Sequence, residues 1–264
     1  MDAWLKVFVV LLGVILFAPH VAAFDHAHPA WSALLKRHVV LLDGGNASRL
    51  QYSAMAQERS ALQQYLQALS RVNETEFNAF SRPEQMAFLI NAYNAHAIEK
   101  VLTRYPNLKS IWDFGRFFSN PFRDPFFSLL GGKMALDTLE HEILRKRYPD
   151  PRIHYAVNCA SIGCPMLREE AYVGVRLETQ LEEQARRFLS DRTRNRVRAG
   201  RLEVSKIFDW FKEDFEPLEG YFVPYAALLS ADARDQQLVR ERKASLRFLD
   251  YDWSLNDSRS SSPR

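Results

Sequence analysis

The chain has 264 residues, 47% hydrophobic and 25% charged, with a formal net charge of +3 and two cysteines. That near-balance of charge argues against nucleic acid as the main partner. Its length is enough for a sizeable core, in one large domain or two small ones.

The opening, MDAWLKVFVVLLGVILFAPHVAAFD, places Lys6 before an apolar run from Val7 to Ala18. That run is short for a bilayer span, and Val21-Ala22-Ala23 supplies the small residues a signal peptidase reads, so cleavage after Ala23 is expected. No cysteine follows the run, which speaks against a lipoprotein anchor, and no later stretch is apolar enough to cross a membrane. The protein is therefore expected in the periplasm or secreted, where cysteines oxidise. Cleavage would leave Phe24-Asp25-His26 at the amino terminus, a copper- or nickel-chelating arrangement if it stays free and a solvated tail otherwise.

Beyond the leader, Ala30 to Lys36 suits a short helix and Val39 to Leu42 a strand ending at Asp43-Gly44-Gly45. Helices are predicted from about Met55 to Ser70 and from about Pro83 to Arg104, the second with Leu89, Ile90, Tyr93, Ala97 and Val101 at helical spacing. Phe126 to Leu136 reads as a hairpin about Gly131-Gly132. Asp137 is placed to cap a helix over Thr138 to Arg147, with Glu140 three residues on. Arg152 to Asn158 alternates as a buried strand. An amphipathic helix over Leu177 to Leu189, a hairpin turning at Ala199-Gly200, helices near Tyr221 to Leu229 and Ala231 to Ala244, and a last strand in LRFLDYDW complete the reading. The expected fold is α+β: a helix-rich single domain, residues 24–256, around a small antiparallel sheet, with a Ser-rich disordered tail over 257–264.

The chemistry concentrates in RIHYAVNCASIGCP, which holds His154, Asn158, Cys159, Ser161 and Cys164. One reading bridges Cys159 and Cys164, since Gly163 and the other intervening residues give slack and export favours oxidation. A second makes Cys159 a nucleophile for acyl chemistry. No histidine follows His154, so the base must come from upstream. A strand would put His154 on the opposite face from Cys159, leaving His141 as the better base, oriented by Glu140 or Asn91, with Asn158 or backbone N–H groups at Ser161 meeting the oxyanion. A third draws Cys159, Cys164, His154 and His141 into a zinc site, although the familiar paired spacings are absent. A fourth leaves both thiols as ordinary buried small residues. No cofactor is called for.

Polar residues elsewhere join this focus. Asn91 and Asn94 share a helix face beside Tyr93, where they either tie a loop backbone to the helix or contact a ligand. Arg145 lies within a turn of His141 and Glu142, so an ion pair there is equally open. In SKIFDWFKEDF, Phe208 and Phe211 read as core and Asp214 as a cap or turn.

Five segments in order, INAYNAHAIEKVL, LDTLEHEILR, RIHYAVNCASIGCPMLREEAY, LEVSKIFDWFKEDF and FLDYDWSLN, resemble the family called domain of unknown function 547, in its exported bacterial branch. The resemblance implies characteristic positions at Asn91, Tyr93, Asn94, Glu140, His141, Arg145, His154, Asn158, Cys159, Ser205, Trp210 and Asp214. Plant and animal relatives often carry Ser at the position of Cys164, which favours Cys159 acting alone. The family has no assigned reaction, so the resemblance leaves open both a thiol-dependent hydrolase or transferase and a non-catalytic binding or assembly module.

Overall fold

The computed structural model describes residues 23–115 and 120–259. The apolar run of the leader and residues 260–264 of the tail lie outside the described residues. Within them, no helix is long and apolar enough to cross a membrane.

Helix α1 (Pro29–His38) runs straight into β1 (Val39–Leu42), which pairs antiparallel with β2 (Ala47–Leu50). The sequence reading missed β2 because ASRL is short and without an apolar alternation. Helices α2 (Tyr52–Gln57), α3 (Arg59–Arg71) and α4 (Glu74–Ala79) lead to α5 (Arg82–Leu102). A capping box starts α5: Glu84 reaches back to the Ser81 backbone N–H at 2.8 Å, satisfying a donor that the first turn cannot. From Met86 to Ile98 every residue of α5 is buried, the signature of a helix surrounded by protein on all sides.

Strands β3 (Phe127–Leu129) and β4 (Gly132–Met134) form the expected hairpin. The segment after it departs from expectation. Thr138–Leu144 winds as a wide π-type helix, closed by the Arg145 N–H bonding the Glu140 carbonyl five residues back, before α6 (Arg145–Arg147) resumes normal pitch. Asp137 makes no side-chain cap there. Such widened turns recur at functional sites because they re-aim side chains, and here both neighbours Glu140 and His141 reach the same cleft.

The segment read as a buried strand is instead a single turn, α7 (Ile153–Ala156), followed by extended chain. Its alternating apolar residues fit a helix turn because Ile153, Tyr155 and Ala156 are all buried, as is the polar His154 between them. The face argument separating His154 from Cys159 falls with the strand. Helix α8 (Leu177–Ser190) follows, then strands β5 (Arg196–Arg198) and β6 (Arg201–Val204), joined at Ala199 and Gly200 with φ of 51° and 73°. Two consecutive left-handed residues make the turn that matches strand twist. Short helices α9 (Ile207–Trp210), α10 (Leu218–Tyr221) and α11 (Ala226–Leu229) and helix α12 (Ala233–Arg240) precede β7 (Ser245–Phe248), which pairs parallel with β6.

The architecture is α+β and helix-rich. Its strands form three small separate sheets rather than one, and the last of these mixes parallel and antiparallel pairs. Two apolar clusters fill the interior, one around α5 and the other around Tyr155, Phe188 and Phe208. The closing segment 252–258 is stitched across the body: Ile162 and Gly163 donate to Ser254 and Asp252 at 2.8 Å each, and Leu50 pairs with Asp257. The expected tail boundary at 257 therefore falls inside bonded chain.

Candidate functional site

A cleft of about 330 Å³ opens where the two clusters meet. Tyr93 comes from α5, Glu140 and His141 from the π-type turn, His154 from α7, and Cys159 and Cys164 from the loop after it. Its volume is of the size that takes a small ligand.

Cys159 and Cys164 are joined by a disulfide. In the chain-entropy picture, a bridge closing only five residues of separation contributes at most about 2 kcal/mol, so its main effect is to fix a loop. Other bonds hold that loop as well. Asn94 accepts from the Asn158 backbone N–H at 2.8 Å and donates to the Ala156 carbonyl at 2.9 Å. Asn158 in turn donates to the Pro165 carbonyl and accepts from the Ala160 N–H. Between the bridge and Ser161, Ala160 is held at φ 65°, a left-handed conformation that a residue with a Cβ adopts only when its surroundings impose it. The Tyr251 hydroxyl lies 3.3 Å from the Cys159 sulfur and 3.2 Å from that of Cys164, with the Ser161 hydroxyl 3.0 Å away.

Asn91 is occupied in the same manner as Asn94, exchanging two hydrogen bonds with the Tyr172 backbone at 2.7 and 3.0 Å. Both amides therefore tie loop backbone to α5, and Asn91 does not line the cleft. Nor does either residue expected to orient His141 do so. Glu140 instead stands beside the Tyr93 hydroxyl, which burial and this carboxylate push well above the ordinary phenol range.

A relay of charge lies behind the cleft. Asp214 accepts from His154 Nε2 at 2.6 Å and from Arg145 Nε and Nη2 at 2.7 and 3.0 Å. Burial works to raise its carboxyl, but the His154 and Arg145 hydrogen bonds prevail and hold it below the usual carboxylate range. Arg145 also reaches Glu213 at 2.9 Å and His141 Nδ1 at 3.2 Å.

These contacts fix the tautomers. A guanidinium only donates, so His141 Nδ1 accepts, and a neutral His141 carries its proton on Nε2, 3.9 Å from Asp137. An ionised Asp214 only accepts, so His154 Nε2 donates. Among the described residues His154 Nδ1 has no partner although the residue is 2% exposed, and the ring is clamped flat against Phe211 at 4.1 Å. Of the two histidines, His154 holds the free acceptor, and His141 presents a donor.

The sequence reading missed most of the cleft wall. Trp112, Phe122, Phe211, Tyr251 and Trp253 all line it, as do Trp210 and Asp137. Trp253 stands 5.7 Å from Trp210 at 28° and 5.3 Å from Trp112 at 84°. The aromatics of SKIFDWFKEDF and of DYDWSLN were the available signals. At the amino terminus, His28 is not in a solvated tail: it is 2% exposed, bonded to the Tyr65 hydroxyl at 2.8 Å. Among the described residues no group of three or more His, Cys, Asp or Glu could hold a metal ion.

Fold and site together define a helix-rich α+β domain with an aromatic, acid-bearing cleft over a disulfide loop. Residues 77–189 match the family model described as "Protein of unknown function, DUF547", which supports that family for this part of the chain. The matched span runs from α4 to α8, so it includes the disulfide loop, both cleft histidines and Glu140. No curated protein and no solved structure matches the chain.

Proposed function

We propose that this chain is an exported, non-catalytic binding domain whose aromatic cleft takes a small ligand over a floor fixed by the Cys159–Cys164 bridge. Export rests on the leader pattern and accords with the bridging of the chain's two cysteines, which an oxidising compartment favours. The observation that carries the binding reading is the sulfur of Cys159 itself. It lines the cleft but is bonded to Cys164, so the cleft offers shape, rings and hydrogen-bonding groups without a free thiolate. Trp210 and Trp112, 43% and 38% exposed, are apolar surface left open for a ligand to cover.

A second reading is favoured by the unpartnered Nδ1 of His154. Reduction by a dithiol would free Cys159 as a thiol, and His154, backed by Asp214, would accept its proton as the sulfur attacks an acyl carbonyl carbon. His154 thus replaces His141 as the base in this reading. The same proton would then pass to the leaving group.

A small-fragment screen read by tryptophan fluorescence separates the two. Binding that is lost in Trp210→Ala and unchanged by reductant supports the binding domain. Release of p-nitrophenol from an acyl ester only after reduction, abolished by iodoacetamide and by Cys159→Ser, replaces it with the acyl reading.

A further inference from the structure

The cleft has a marked electrostatic character. Among the described residues no Lys or Arg lines it, whereas Asp137 and Glu140 do. Behind the cleft the guanidinium of Arg145 is engaged by Asp214 and Glu213, and that of Arg194 donates to the Cys164 carbonyl and pairs with Asp191. Glu140 stands beside the Tyr93 hydroxyl, whose ionisation is opposed by burial and by this carboxylate. Asp137 faces an exposed Arg123 at 3.5 Å and His141 at 3.9 Å.

The aromatic wall adds to the same sign of potential. Ring faces carry partial negative charge, and the Trp210–Trp253–Trp112 wall turns through nearly a right angle, since Trp253 and Trp112 meet at 84°. A flat neutral ring, such as a sugar, is best received by one coplanar platform. A corner of rings beside carboxylates suits a compact positive group, which gains from ring faces on more than one side. Among the described lining residues an anionic ligand would meet two carboxylates and no Lys or Arg.

We propose that the cleft recognises an organic cation, an alkylated ammonium group seated against the Trp253–Trp112 corner with Glu140 and Asp137 supplying the opposite charge. This rests on the reading of the cleft as a binding site and names its ligand class.

The test compares choline with 3,3-dimethylbutan-1-ol, which has the same shape without the charge, by tryptophan fluorescence titration of the full chain at constant ionic strength. Choline is expected to bind at least about tenfold more tightly than the alcohol, as a cation over aromatic faces and near carboxylates should. Glu140→Gln, which keeps the side chain's size and removes its charge, is expected to weaken choline at least about fivefold and leave the alcohol unchanged. Asp137→Asn is a second variant, at a partly exposed position, should Glu140→Gln fail to fold. Equal affinity for the two probes overturns the cation proposal. Saturable binding of N,N′-diacetylchitobiose without choline overturns it in favour of a neutral glycan and leaves the binding cleft standing. No response to any of the three probes, with the Trp112→Ala spectrum equally insensitive, removes both.

Discussion

Replacing Asp214 by Asn tests the relay behind the cleft most sharply. The carboxylate accepts three hydrogen bonds, at 2.6, 2.7 and 3.0 Å, from His154 and Arg145. An Asn carboxamide keeps one acceptor oxygen and turns the other position into a donor facing a donor. Hydrogen bonds to charged groups contribute about 1.5–3 kcal/mol each. Here the Asp214 side chain is 26% exposed, and Arg145 retains Glu213, so a net loss near the low end, about 2 kcal/mol, is expected. For a chain of this size that lowers Tm by about 4–8 °C. Denaturant unfolding at pH 7, followed by circular dichroism, measures it. A double-mutant cycle with His154→Ala should show that the two losses do not add. A loss below about 0.5 kcal/mol, or strict additivity, would mean that the relay contributes nothing to holding His154.

Other perturbations follow from the same geometry. A Cβ added at Gly163 would stand 2.8 Å from the Tyr251 ring; Gly163→Ala should cost about 1–3 kcal/mol by overpacking and shift tyrosine and tryptophan fluorescence, and a silent substitution would show that the ring is not packed there. Asn94→Ala leaves the Asn158 N–H and the Ala156 carbonyl buried without partners, at about 3 kcal/mol, read by denaturant midpoint; a loss under about 1 kcal/mol would show that the loop is held otherwise. Burial lowers His96 to about 3, and burial with the neighbouring His26 charge lowers His28 to about 4. Both are neutral when folded, while the unfolded chain protonates them near pH 6.5. Their stability contribution is therefore present above about pH 6.5 and is lost as pH falls toward 4. In His96→Phe, the slope of stability between pH 6 and 4 should flatten by about 1.4 kcal/mol per unit, and an unchanged slope would contradict the assignment.

How much of this was legible beforehand differs by element. The buried heart of α5 announced itself by the spacing of its apolar residues, and the α8 and β5–β6 elements by periodicity and by Ala199-Gly200. The bridge was readable as one of several options, from two cysteines and a leader. The turn at 153–156 was not, because four residues with buried apolar positions at 153, 155 and 156 satisfy strand alternation and a helix turn about equally well. That ambiguity carried the base assignment to His141. The preference for His154 needed coordinates: it depends on Arg145 meeting His141 Nδ1, and on Asp214, sixty residues downstream, meeting His154. The π-type turn was equally hidden, since LDTLEHEILR carries the signature of an ordinary capped helix. The cleft wall is assembled from residues as far apart as Trp112, Trp210 and Trp253, a proximity that only the tertiary fold creates.

The proposed binding role requires that Cys159 be tied to Cys164 and so offer no free thiolate to the cleft. Counting free thiols in the guanidinium-unfolded, unreduced protein tests that directly. Fewer than about 0.1 reactive thiols per chain, rising to two after dithiol treatment, is the expected result, since a bonded pair presents no thiolate to the label. Two reactive thiols without any reductant would contradict it.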